Sequence, residues 1–286
     1  MSREKLINQS TDALINCTLH LADDALILGH RNSEWCGHGP VLEQDIAITN
    51  ISLDLIGQAR NFYQYVAHQI NDFQKRESSQ APSLLEGGFG GEVTEDTLAY
   101  LRDNREFKNC LLVEQPNGDW AKTILRQFLF SAYQFYLYQE LQYSKDEQLA
   151  AIAEKSLKEV TYHLRWGSEW VIRLGDGTDE SHQRMLKAIE ELWMYTGELF
   201  TATAYESQAV AEGSGVDVRL LKAPWEEKIE EIFSEATLPY PPLSGGGKGE
   251  AVFQQTGGKE GKHTEHLGYI LAELQFMQRA YPGSEW

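Results

Sequence analysis

Residues 158–163 read KEVTYH, and they lie within the apolar stripe Ala153, Leu157, Val160, Leu164, Gly167, Val171 and Leu174. Steps of three and four are the period of a helix that buries one face. His163 follows Val160 by three residues and Glu159 by four, spacings that bring side chains together on a helix surface. A histidine in this place is either a ligand or a partner in an internal hydrogen bond, and the bond with Glu159 is the expectation.

The same period recurs on both sides of that stretch. Leu14, Cys17, Leu21, Ala25 and Leu28 form one stripe, and Ile48, Ile51, Leu55, Ala59, Phe62, Val66 and Ile70 form a second. Ala121, Ile124, Phe128, Ala132 and Phe135 form a third, Met185, Ile189, Leu192, Thr196, Phe200 and Thr203 another, and HLGYILAELQFMQRA (266–280) the last. No sustained period-two run occurs, so a sheet is not expected. Gly, Pro and Ser punctuate the stripes at GHGP (37–40), 78–92, QPNGD (115–119), LGDGTD (174–179), 238–250 and TGGKEGK (256–262). Long helices joined by turns and loops predict an all-α bundle with additional flanking helices.

The chain has 286 residues and a net charge of −18, with no Lys/Arg-rich run to offset it. A nucleic-acid or anionic-membrane partner is therefore not expected. The start, MSREKLINQS, lacks the apolar core of a signal peptide. FLFSAYQFYLY (128–138) is too short to span a bilayer and contains Gln134. Three cysteines, Cys17, Cys36 and Cys110, match neither a zinc ribbon nor a redox pair. Small reduced thiols in a cytoplasmic protein are the expectation.

A bundle can build a di-iron centre from two Glu and two Glu-x-x-His pairs on facing helices. Only Glu260–His263 has that spacing, and it falls in a Gly-rich segment. No HExxH, GxSxG or Walker A motif occurs. Asp23–Asp24 and EEKIEE (226–231) read as solvated helix faces, TGGKEGKH as a flexible lead-in rather than a phosphate loop, and Tyr162, Trp166 and Trp170 as packing.

EWCGHGP (34–40), LDLIGQARNF (53–62), LLVEQPNGD (111–119), YHLRW (162–166), LGDGTD (174–179) and GGKEGKHTEHLG (257–268) together resemble the C-subunit family of bacterial ring-1,2-phenylacetyl-CoA epoxidases. The resemblance runs in order from about Leu14 to Trp286 and breaks near 72–92 and 238–250, as insertions would. It implies one ferritin-like helical domain over 1–286, with a four-helix core. It implies a place in a multicomponent oxygenase that epoxidises the ring of phenylacetyl-CoA, with electrons from NADPH through a reductase subunit. The non-haem di-iron centre would belong to the related catalytic A subunit. This chain would be the A subunit's structural partner, bound also to other epoxidase subunits, and a candidate homodimer when alone.

The A subunit's metal ligands can be carried over by motif. Its S-E-x-x-G stretch resembles Ser33–Gly37, where Glu34 keeps the acid. Its E-x-G-H falls on Leu55–Gln58, its Asp on Ser131, and its E-x-x-H on Val160–His163. Glu34, Leu55, Gln58, Ser131, Val160 and His163 are thus the positions of a degenerate site in which only Glu34 and His163 retain a coordinating side chain. Hard metal ions need anionic oxygen, so no catalytic, cofactor-binding or metal residue is expected in this chain. The alternative is a di-iron oxidase with non-standard ligands that recruits Glu159 or Asp54.

Overall fold

A computed structural model describes residues 3–77, 92–240 and 253–284. The helices are α1 (Arg3–Ser33), α2 (Leu42–Glu77), α3 (Glu95–Tyr100), α4 (Leu111–Glu114), α5 (Trp120–Leu141), α6 (Glu147–Gly175), α7 (Asp179–Leu192), α8 (Ala204–Glu212), α9 (Lys222–Glu235), α10 (Glu265–Leu274) and α11 (Phe276–Ala280). The described residues contain no strand. Residues 72–77 continue α2 rather than begin a loop, while 78–91 and 241–252, the bulk of both expected insertions, lie outside the described residues.

Four long helices make the ferritin-like core. α1 and α2 form one hairpin through the turn at 34–41, and α5 and α6 form another through 142–146. Cross-links give the directions. Asp54 meets His163 and Gln58 meets Glu159, so α2 and α6 are antiparallel. Asn32 meets Gln127 and Trp35 meets Thr123, so the chain from the end of α1 runs antiparallel to α5. α2 and α5 are then parallel, which requires the long crossover that separates this fold from a simple up-and-down bundle. Residues 78–119 supply it, and α3 and α4 lie within its described part.

Local sequence places the helix starts. Asp119 accepts from the Lys122 amide, Asp146 from the Leu149 amide, and Thr178 forms a capping box with Ser181. Each cap satisfies an amide that the helix leaves unpaired and contributes about 1 kcal/mol. The inward stripes then bury Ile48, Ile51, Leu55 and Phe62 against Ile124, Phe128, Val160 and Val171. No helix among the described residues is long and apolar enough to cross a membrane.

The stripe from Met185 to Thr203 is not one helix. α7 stops at Leu192 and two 3₁₀ turns follow. The Gly197 amide donates to Gln254 Oε1 at 2.7 Å and the Gln255 amide to the Met194 carbonyl at 2.8 Å, so a distant segment takes hydrogen bonds that a continuous helix would keep. TGGKEGKH is likewise not a flexible lead-in. Lys259 is buried against Glu206, and Gly261 has φ +78°. A Cβ on Gly261 would lie 2.2 Å from the Arg105 carbonyl oxygen, and one on Gly258 would lie 2.4 Å from that of Asn109.

Two glycine substitutions should therefore move stability in opposite directions. Gly261→Ala should lower unfolding free energy by about 2 kcal/mol or more, through backbone strain and the clash. Gly57→Ala, in the interior of α2 with nothing within 4 Å of the added Cβ, should raise it by about 0.5–1 kcal/mol. Chemical denaturation of both variants checks the pair.

Candidate functional site

In a ferritin-like bundle the chemistry sits where the four long helices face one another at mid-height. Leu55 and Val160 are fully buried there, and neither side chain has a lone pair to offer. Gln58 donates through Nε2 to Glu159 at 2.9 Å and accepts from the Tyr138 hydroxyl, which in turn accepts from Gln134. Ser131 accepts from Gln127 Nε2 at 2.8 Å, and Gln127 accepts from Asn32 at 2.6 Å. The polar atoms at these levels are thus joined to one another across the helices.

His163 is fully buried, and its partner is not Glu159. Its Nε2 donates to Asp54 Oδ2 at 3.0 Å across the α2–α6 seam, and its Nδ1 has no partner among the described residues. The expected bond within α6 loses because Glu159 is taken by Gln58. Asp54 and Glu159, the acids that a non-standard metal site would recruit, are both engaged in these bonds.

Glu34 stands apart from the other five positions. A Cβ on Gly29 would lie 3.3 Å from Leu55 Cβ, so Gly29 marks the α1 level that faces Leu55. Glu34 comes five residues later, beyond the end of α1, which is about 7.5 Å along the axis at 1.5 Å per residue. Its side chain is 44% exposed and accepts from Arg31 at 2.8 Å and Asn117 at 2.9 Å. Motif matching brought Glu34 to the ligand set, and the helix register removes it. Among the described residues no three His, Cys, Asp or Glu side chains gather as a metal site would require. This donor set does not fit a di-iron centre.

The concentrated charge lies instead beside the core, where the sequence suggested little. Asp23 and Asp24 are buried rather than solvated. Asp23 takes Arg102, the Tyr63 hydroxyl and the Lys108 amide, and the Arg102 guanidinium rests 4.2 Å from the Phe107 ring centre. Asp24 accepts from the Cys110 amide at 2.7 Å, and burial pushes its carboxyl up to about 6. Glu198 accepts from the amides of Leu111 and Gly257. Glu206 binds Lys259 at 2.9 Å; burial pushes its carboxyl up, but Lys259 and the Thr203 amide outweigh burial and hold it below the usual range. Glu114, fully buried, accepts from Asn109, His263 and both the amide and hydroxyl of Thr264. Two of the motifs, LLVEQPNGD and GGKEGKHTEHLG, thus meet through Glu114 and His263. The only sequence signal was position: Asp24 follows Leu21 by three and precedes Leu28 by four, on the buried stripe.

His263 donates from Nε2 to the Phe107 carbonyl and meets Glu114 through Nδ1, both at 2.9 Å. Burial pulls its imidazolium down, yet Glu114 outweighs burial and raises the histidine above its ordinary 6.5. A raised folded pKa means the pair's stabilisation is complete below 6.5 and fades as pH climbs through the folded value. Denaturation midpoints of wild type and His263→Gln should therefore differ most below pH 6.5 and converge at alkaline pH. Glu114→Ala, which orphans the buried imidazolium, should cost about 3–5 kcal/mol at neutral pH.

Comparison with known proteins agrees with these motifs. The family model described as "Phenylacetic acid catabolic protein" matches residues 1–286. The chain is 46% identical over 269 residues to the C subunit of the 1,2-phenylacetyl-CoA epoxidase of Escherichia coli (strain K12), covering 94% of this chain and 97% of that protein. With a match along its whole length and a near full-length relative, the chain belongs to the phenylacetic acid catabolic protein family.

Proposed function

We propose that this chain is the non-catalytic structural subunit of a multicomponent ring-1,2-phenylacetyl-CoA epoxidase in cytoplasmic phenylacetate degradation, and that it binds no metal. Its principal partner is the related di-iron A subunit, which takes electrons from NADPH through a reductase. The observation that carries this reading is the bundle centre. Leu55 and Val160 fill the places of two carboxylates, and Gln58, Glu159, Gln127, Ser131, Asp54 and His163 are engaged in hydrogen bonds with one another or with neighbouring side chains. Side chains without lone pairs cannot hold iron, and their burial strengthens the core by about 1.5–3 kcal/mol each.

A surface for the partner is present on α2. Leu42, Ile46 and Leu53 are 71%, 51% and 62% exposed. Steps of four and seven residues align them within one narrow arc of the helix. The ridge is aliphatic. The six tryptophans within the described residues are all buried or half-buried, so they do not supply the aromatic surplus that the composition suggested. Exposed apolar side chains grouped on one side of a helix mark an interaction surface, and a permanent interface between protein chains buries about 2,000 Å² or more.

Purified A and C subunits should co-elute in size exclusion at both low and high salt, because apolar burial is not screened as charge pairs are. Ile46→Glu with Leu53→Glu should weaken the association about tenfold or more while leaving the circular dichroism of the free chain intact. Separate elution of the two folded wild-type proteins under all conditions would remove the structural assignment. A second arm concerns chemistry: His163→Asn should leave turnover per assembled complex unchanged. A fall by orders of magnitude with normal assembly would make His163 catalytic and the proposal wrong.

A further inference from the structure

A small cavity lies where α1, α5 and α8 meet, with a volume of about 30 Å³. Its walls are mostly Leu21, Leu137, Leu141 and Leu149, but His20, Tyr133 and Glu206 also line it. Two of these carry polar atoms that no described residue satisfies, His20 Nε2 and the Tyr133 hydroxyl, on side chains 2% and 1% exposed. Polar atoms buried so deeply are normally paired, and an unpaired one costs about 1–3 kcal/mol.

The donors and acceptors around the cavity favour a neutral His20 with a bridging group beside it. His20 Nδ1 lies 2.8 Å from the Lys108 carbonyl oxygen, which can only accept, so Nδ1 carries a proton. In the neutral ring Nε2 is then an acceptor. Its nearest charged neighbours, Asp24 Oδ2 at 3.5 Å and Glu206 Oε1 at 3.9 Å, are acceptors too, and both are long for direct hydrogen bonds. Burial raises the Tyr133 hydroxyl well above its ordinary range, so it keeps its proton and needs an acceptor. The set therefore calls for a group that accepts once and donates twice.

We propose that this cavity is a binding site for one ordered water molecule, which accepts from the Tyr133 hydroxyl and donates to His20 Nε2 and Glu206 Oε1. The space is enough for a water, which needs about 10–15 Å³ of such volume, and buried waters typically make about three hydrogen bonds. The water ties α1, α5 and α8 together at the point where Glu206 also holds Lys259 of the GGKEGKH segment. It is a structural site, independent of which reaction the assembly performs.

A high-resolution crystal structure of the full chain tests the site directly. The expected result is one isolated peak within about 2.7–3.2 Å of both Tyr133 Oη and His20 Nε2. Nitrogen chemical shifts of the His20 ring should show a neutral imidazole protonated at Nδ1, with Nε2 accepting. Tyr133→Phe should remove or weaken the peak while the His20 tautomer stays. A cavity without density, a direct bond between Tyr133 and His20, or a doubly protonated His20 bonded to Asp24 would each overturn the proposal. The wild-type measurements decide it even where the variant fails to fold.

Discussion

A carboxylate removed from water needs a cation or several hydrogen-bond donors, because an uncompensated buried charge costs far more than a bundle can spare. That constraint accounts for the distribution of charge in this molecule. Asp23, Asp24, Glu114, Glu198 and Glu206 are all nearly inaccessible, and each has an amide donor or a cationic partner. At mid-height of the bundle, at the positions where a di-iron protein would neutralise carboxylates with metal, stand Leu55 and Val160. Hydrocarbon fills that level, and the buried acids elsewhere are those with protein donors of their own.

The buried acids explain why the flanking segments are ordered against the core. Asp23 and Asp24 on α1 take amides from 108–110, Glu114 on α4 takes Thr264, and Glu198 takes the amides of Leu111 and Gly257. The crossover and the approach to α10 are thereby fastened to the bundle by backbone hydrogen bonds. Gly258 and Gly261 permit the close approach that these bonds require. This network gives the surface around the bundle a defined shape.

The long helices were legible in the sequence because burial writes a period of 3.6 into the chain, and Asp119, Asp146 and Thr178 mark starts through purely local bonds. The stripe from Met185 to Thr203 misled because its apolar period continues through Trp193–Phe200, whereas the helix is broken by Gln254 and Gln255, some sixty residues away. Asp23 and Asp24 looked solvated for the same reason: Arg102 and the amides of 108–110 come from a distant segment. The motifs fall for Leu55, Gln58, Ser131 and Val160 on the long helices, where all four are buried. A motif at a helix end carries no information about height along the bundle, and Glu34 lies beyond the Gly29 level that faces Leu55. His163 was recognised as buried and bonded, but its choice of Asp54 over Glu159 depends on α2, which no pattern within α6 reveals.

The central claim is that the hydrocarbon-filled centre leaves this chain without iron. Its most direct test is the metal content of the isolated chain, expressed in iron-replete cells and purified without chelator. The account predicts no stoichiometric iron. A content of about two irons per chain, the count of a filled di-iron bundle, would contradict it.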